Sequence, residues 1–393
     1  MTMRKFVPAV AGLAVSACLV LALTASAGAT QAATLTALHA FSGGDGAFPA
    51  AGVIRDTQGK LYGTTELGGA GGYGTAFKID TGGNETTLYN FCGEANCTDG
   101  ASPVAALLLD TKGNLFGTTY AGGTDTNCGS GNGCGTVFEL APDGTLTTRH
   151  SFDGADGTFT YARIARSGRN LYGTVFEGAA GYGAVFGLTL KGVETELYEF
   201  QGGADGAYPK AGVIRDTQGN LYGETYGGGI SGHGTLFEIS AGGNETALYS
   251  FQGGTDGVKP SGGLIRDASG NFYGTTEQGG ASGMGTVFMV TPGGTETVLH
   301  SFAGGSDGAS PRAGVIRKGG KLYGTTYKGG ASNDGTVFEI RLKGSAETVL
   351  YTFSGSDGQN PDCALVMDTS GNLYGTTFGG GASNDGTVFK LTP

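Results

Sequence analysis

Short runs of alternating apolar and polar residues recur along most of the chain, and residues 211–251 show one unit clearly. Residues 211–216 form a short apolar run ending at Asp216. Residues 221–225, 235–239 and 246–251 form three more, and the last ends at Phe251. Such runs, rich in β-branched and aromatic residues, with Gly, Pro and Asn largely kept to the connections, predict four strands. The connections 216–220 and 241–244 predict tight turns, with Gly219 suited to positive φ. Residues 226–234 are a glycine-rich loop, and 252–260 lead into the next unit. In the chain after residue 32 no capping box leads an apolar face of helical period, so no helix is predicted.

The unit repeats. The glycine inside the second strand recurs as Gly63, Gly117, Gly173, Gly223, Gly274, Gly324 and Gly375, at intervals of 54, 56, 50, 51, 50 and 51 residues. Periods of this length point to a propeller or array. Third strands carry Phe77, Phe138, Phe186, Phe237, Phe288, Phe338 and Phe389. Fourth strands end at Phe41, Phe91, Phe152, Phe200, Phe251, Phe302 and Phe353. The phase is offset: a fourth strand opens the repeats near residue 34, and the chain stops at Pro393 just after a third strand. Pairing these ends would remove an open sheet edge. The expected fold is therefore all-β, a seven-bladed β-propeller with four antiparallel strands per blade, closed by the N-terminal strand joining the last blade. Each strand-interior glycine predicts close approach by another group, expected to be an aromatic from a neighbouring blade.

Composition narrows the function classes. The chain has 393 residues, 80 of them glycine, a net charge of −11 and no tryptophan. Regularly spaced aromatics exclude a disordered low-complexity chain. The acidic balance and the lack of a basic run argue against nucleic acid. Arg4 and Lys5, followed by an apolar stretch to Leu23 and small residues at 25–27 and 30–32, read as a signal peptide over 1–32, leaving 33–393 as the propeller. Residues 15–18 also fit a lipoprotein box at Cys18, a minor alternative to a secreted or periplasmic protein. No later stretch is long enough to span a bilayer as a helix. Cys92–Cys97 and Cys128–Cys134 are the simplest disulfides, with cross-pairing or a four-thiolate zinc site as alternatives. Cys363 is expected to be a buried free thiol.

Taken together, Leu-Tyr-Gly-Thr-Thr, Gly-Gly-Ala-Ser-x-x-Gly-Thr-Val-Phe and Leu-Tyr-Ser-Phe, recurring in fixed order over nearly all of 34–393, resemble the GloVer (choice-of-anchor) tandem-repeat family of bacterial extracellular proteins. The resemblance implies a secreted or surface-displayed protein. Family members often carry a C-terminal anchor; with the sequence ending at Pro393, covalent surface attachment is not expected. The resemblance carries no activity and no catalytic residues.

Candidate chemistry is sought where blades differ, on the rim formed by the glycine-rich 2–3 loops and the Asp-Gly 4–1 loops. After the second strand stand Glu66, Tyr120, Phe176, Tyr226, Glu277, Tyr327 and Phe378. Before the third stand Tyr73, Cys134, Tyr182, His233, Met284, Asp334 and Asp385. Aromatics and carboxylates on a concave face suit a sugar; packing and solvation would account for the same residues. Glu224 replaces a recurrent threonine, Arg163 replaces a small residue, Tyr161 breaks the Ala-x-Pro pattern, and Lys210 begins the next first strand. Tyr161 or His233 as base, with Arg163 offsetting a carboxylate, could support β-elimination on a uronide. His39, His150 and His300 interchange with Tyr89, Tyr198, Tyr249 and Tyr351, which marks them as structural. Asp45, Asp99, Asp156, Asp205, Asp256, Asp307 and Asp357 precede glycine and are expected to form turns rather than calcium sites, and no metal is expected. The leading expectation is a non-enzymatic extracellular module binding a polysaccharide or surface polymer. A uronide lyase and a purely structural surface protein are the alternatives. A monomer without cofactor is expected, since no strand–GxGxxG–helix context occurs.

Overall fold

The computed structural model describes residues 33–125, 128 and 133–393. The signal segment 1–32, its cleavage candidates and Cys18 lie outside the described residues. The described chain folds into seven antiparallel sheets arranged as blades. In blade 4, Ile214–Arg215, Leu221–Thr225, Thr235–Ile239 and Glu245–Ser250 pair in sequence order. Blade 7 pairs Val366–Met367, Leu373–Thr377 and Thr387–Thr392 with the N-terminal strand Thr34–Ala40. The expected closure is therefore present. Blade 5 departs from the pattern, because Val258–Pro260 adds a short extra strand against Phe272–Gln278.

No blade could bury its faces alone, and the core lies between blades. The apolar clusters each draw on two consecutive blades. At each interface the phenylalanine ending a fourth strand meets the third-strand phenylalanine of the next blade edge to face. The centroid separations run from 5.1 Å (Phe41–Phe77) to 5.3 Å (Phe353–Phe389), in the range favoured by ring quadrupoles. Second-strand threonines add a polar stitch: Thr174 donates to the Ala211 carbonyl at 3.0 Å and Thr376 to that of Ala51 at 2.9 Å. The latter joins the last blade to the first.

The strand-interior glycines are filled from within their own blade, which corrects the expectation of a neighbouring blade. Gly223 pairs directly with Phe237 across the ladder. A Cβ added there would lie 2.5 Å from Phe237 Cζ, and the other six blades repeat the arrangement at 2.5–2.7 Å. The third-strand ring lies back over the glycine and leaves its other edge for the adjoining blade. Gly223→Ala should push a fully buried ring out of place and cost about 1–3 kcal/mol, read as a lowered urea midpoint. An unchanged midpoint would mean the ring has room to yield.

The seven Asp-Gly aspartates hold the 4–1 loops. Asp205 accepts the Gln201 N–H at 2.7 Å and the Tyr198 hydroxyl at 3.1 Å. Asp156 accepts the Asp153 N–H at 2.9 Å and contacts His150 Nε2 at 2.7 Å. Histidine and tyrosine thus serve one purpose at this position, reaching the loop aspartate from the fourth strand. Cys92–Cys97 and Cys128–Cys134 are disulfide-bonded, which removes the zinc reading. Cys363 is free and buried.

Candidate functional site

The 2–3 and 4–1 loops meet on one rim, joined by bridges such as Ala101↔Ala121 and Ala207↔Gly227. The first strands line a central channel of about 860 Å³ below that rim. Alternation along the segment that leads into each first strand decides what faces it. At the lip stand Ala50, Val104, Tyr161, Lys210, Ser261, Arg312 and Asp362, one per blade. Two residues further in, the throat has Gly52, Ala106, Arg163, Gly212, Gly263, Gly314 and Ala364. The intervening Ala51, Ala105, Ala162 and Ala211 turn into the core.

A second ring of variable residues precedes the lip. Phe48, Ser102, Phe159, Tyr208, Lys259, Ser310 and Asn360 all have φ between +53° and +63°. Left-handed backbone at bulky residues is strained and persists only where surroundings impose it. Here the main chain does so: the Tyr208 N–H donates to the Tyr182 carbonyl at 2.7 Å, and the Tyr208 carbonyl accepts from the Tyr226 N–H at 3.1 Å. Corresponding pairs fix Ser102, Phe159 and Asn360. The backbone is therefore invariant while the side chains change from blade to blade.

Around the mouth these rings separate into two arcs. On blades 2 to 4, Tyr120 stacks on Phe159 at 4.7 Å and meets Tyr161 at 5.2 Å. Tyr161 meets Phe176 at 5.3 Å, Phe176 meets Tyr208 at 5.2 Å, and Tyr208 meets Tyr182 at 6.1 Å. Phe48 and Phe378 form a separate stack at 5.2 Å. The other arc is charged. Lys210 lies over the rings of Tyr161 and Tyr226, at 5.7 and 5.5 Å, and Lys259 lies over Tyr226 at 5.2 Å. Arg312 covers Tyr327 at 3.7 Å, donates to Glu277 at 3.1 Å and lies 3.6 Å from Asp362. Tyr226 donates to the other Glu277 oxygen at 3.4 Å. Burial pushes Asp362 up, against the pull of Arg312 and Lys210, and burial together with Asp362 pushes Glu66 up.

The expected site residues divide by position. Glu66, Tyr120, Tyr161, Arg163, Lys210 and Phe378 line the channel together. Tyr226, Glu277, Tyr327 and Phe176 stand beside them through the contacts above. His233 does not line the channel; a Cβ placed on Gly253 would lie 2.7 Å from its ring. Tyr161 is pushed up by burial, by the Tyr120 hydroxyl and by the Glu66 and Glu177 charges. Glu224 lies behind the throat, fully buried. Its Oε2 accepts the Gly263 N–H at 3.0 Å, and its Oε1 has no partner. Elsewhere a threonine at this position donates to a carbonyl of the next blade. Here a carboxylate accepts instead, and Gly263 takes φ +84°, a conformation suited to glycine. Sequence comparison passed over Arg312, Asp362 and the left-handed ring. The residue after each recurrent proline (Pro209-Lys210, Pro311-Arg312, Pro361-Asp362) was the available signal.

Among the described residues, His39, Asp45 and Glu85, and likewise His300, Asp307 and Glu347, bring ligand atoms within 4.8 Å of one another. In each, His and Asp already bond to each other and Asp also accepts backbone N–H groups. Three such donors fall short of the six or more oxygens that calcium takes. No helix among the described residues is long and apolar enough to cross a membrane.

Residues 20–174, 125–269 and 241–393 each match the Gloeobacter/Verrucomicrobia repeat. No curated protein sequence matches the chain significantly. Among solved structures, the extracellular domain described as belonging to a hybrid two component system, BT4673 of B. thetaiotaomicron, is similar at TM-score 0.58 and 11% identity. That match covers 90% of this chain and 39% of the other, so this chain spans well under half its length. A Bacteroides fragilis protein described as a 6-phosphogluconolactonase is similar at TM-score 0.50 and 18% identity, covering 80% of this chain and 86% of that one. At these identities the likeness concerns the fold alone.

Proposed function

The chain belongs to the Gloeobacter/Verrucomicrobia repeat family, and from that premise we propose that it is a secreted β-propeller that binds glycan chains across its long-loop face. The observation that carries this reading is the continuous aromatic arc from Tyr120 through Phe159, Tyr161 and Phe176 to Tyr208 and Tyr182, set at the mouth of an open channel. Aromatic faces stack on the C–H faces of sugars, and the neighbouring carboxylates and cations offer bonds to hydroxyls. The signal-like N-terminus and two disulfides support an oxidising, extracytoplasmic location, as does the extracellular origin of the BT4673 domain.

The geometry favours retention over cleavage. A lyase base must give up its proton near neutral pH, whereas burial, the Tyr120 hydroxyl and the Glu66 and Glu177 charges push the Tyr161 hydroxyl further up. Purified 33–393 should retain a polysaccharide from a panel of neutral and acidic polymers without forming unsaturated uronide. Tyr120→Ala and Phe176→Ala should each weaken retention about tenfold, with thermal unfolding close to that of the parent. A rise in uronide absorbance would move the protein to the lyases, and failure to retain any polymer would remove the glycan reading.

A further inference from the structure

Resting on the glycan reading above, we infer that the channel throat is an anion subsite in which Arg163, with Lys210 at the lip, receives a carboxylate on the terminal unit of the bound saccharide, a uronate-class sugar. Six of the seven throat positions are glycine or alanine, so the throat stays open and Arg163 is the single long side chain at that level. It is accessible from the channel, and among the described residues no ion pair or side-chain hydrogen bond occupies its guanidinium.

The other cations at the mouth are engaged differently. Arg312 is committed to Glu277 and Asp362. Lys259 rests on the Tyr226 ring, and Arg215, at the far end of its first strand, donates to Ser167. Lys210 rests on aromatic rings without a carboxylate in contact. The channel lining as a whole carries Arg163, Lys210, Arg215 and Arg312 against Glu66 and Asp362, on a chain whose net charge is −11. A cationic cleft in an acidic protein focuses its field on anions. A guanidinium presents a planar fork of donors that matches a carboxylate with two parallel bonds. An aromatic arc leading to such a fork would hold the sugar rings and end on their acid group.

Calorimetry with trigalacturonate and its methyl ester tests the assignment on the 33–393 chain. The acid should bind about 10- to 100-fold more tightly than the ester, as a charge-assisted bond requires. Arg163→Ala should remove most of the acid's preference and leave the ester unchanged, while Arg163→Lys keeps more of it. A preference undiminished by Arg163→Ala, or an equal loss for acid and ester, overturns the subsite. A second readout does not depend on saccharide retention. The Arg163 Nε–H resonance, identified by its loss in Arg163→Lys, should shift with free galacturonate and not with sulfate. No shift, or an equal response to sulfate, overturns the assignment. A galacturonate shift without binding of either trisaccharide would sink the glycan reading while leaving the anion seat standing.

Discussion

Glu224→Gln should stabilise the folded protein by roughly 4 kcal/mol above pH 8 and by almost nothing below about pH 4. Burial raises the Glu224 carboxyl to about 8 from 4.5, and one of its oxygens has no partner. Between those two pH values the folded protein keeps a proton that the unfolded chain has already lost. Stability therefore falls as pH rises through this window, and the full penalty is present above it. Glutamine can still accept the Gly263 N–H and carries no charge to desolvate. Glu245, Glu296 and Glu347 are pushed to about 7, first by burial and then by Asp205, Asp256 and Asp307 respectively. They slope the parent in the same direction, so the informative quantity is the difference between variant and parent. Urea midpoints at acidic, neutral and alkaline pH measure it. An equal gain at all three would mean that Glu224 acts through packing and not through its charge.

Phe41→Ala should cost about 3–5 kcal/mol, as deletion of a fully buried ring does, and should cost the same as Phe251→Ala. Phe41 belongs to the strand that closes the ring and Phe251 to an ordinary blade. Their surroundings are alike all the same. Phe41 meets Phe77 at 5.1 Å and 65°, and Phe251 meets Phe288 at 5.1 Å and 67°; their exposures are 1% and 0%. Equal loss of urea midpoint would establish that the seam is as firm as any other interface. A cost for Phe41→Ala well below that for Phe251→Ala would mean that the closing strand frays independently.

The architecture was readable because propeller packing repeats its apolar anchors. Phe77 and its six counterparts, and Phe41 and its six, mark every interface in order, and their offset announces the shared last blade. What fills the glycine notch was not readable. The ring over Gly223 comes from Phe237, ten or more positions along and across a long loop, and a loop of that kind does not fix strand register as a two-residue turn does. At the mouth, Glu66 and its equivalents, Tyr161 and Arg163 stood out as departures from a repeat. The position of Lys210, Arg312 and Asp362 has no consensus to depart from, and only Lys210, at the start of the next first strand after the Tyr161 and Arg163 departures, was marked by its neighbourhood. The left-handed ring at Phe48, Tyr208 and Lys259 leaves no compositional mark. Its strain is imposed by main-chain bonds from loops distant in sequence, and aromatic, small polar and basic residues occupy it alike.

The closing ladder also has a mechanical character. Thr34 pairs with Thr392 at one end of it, and Ala40 with Thr387 at the other. A force drawing the two ends of the described chain apart therefore meets the ladder at its Thr34–Thr392 end and peels it bond by bond. The bonds are loaded in succession, not sheared together. Every other blade is entered and left by a covalent connection, so tension reaches those blades only after this seam has opened. The closed ring would yield to traction at one identifiable place.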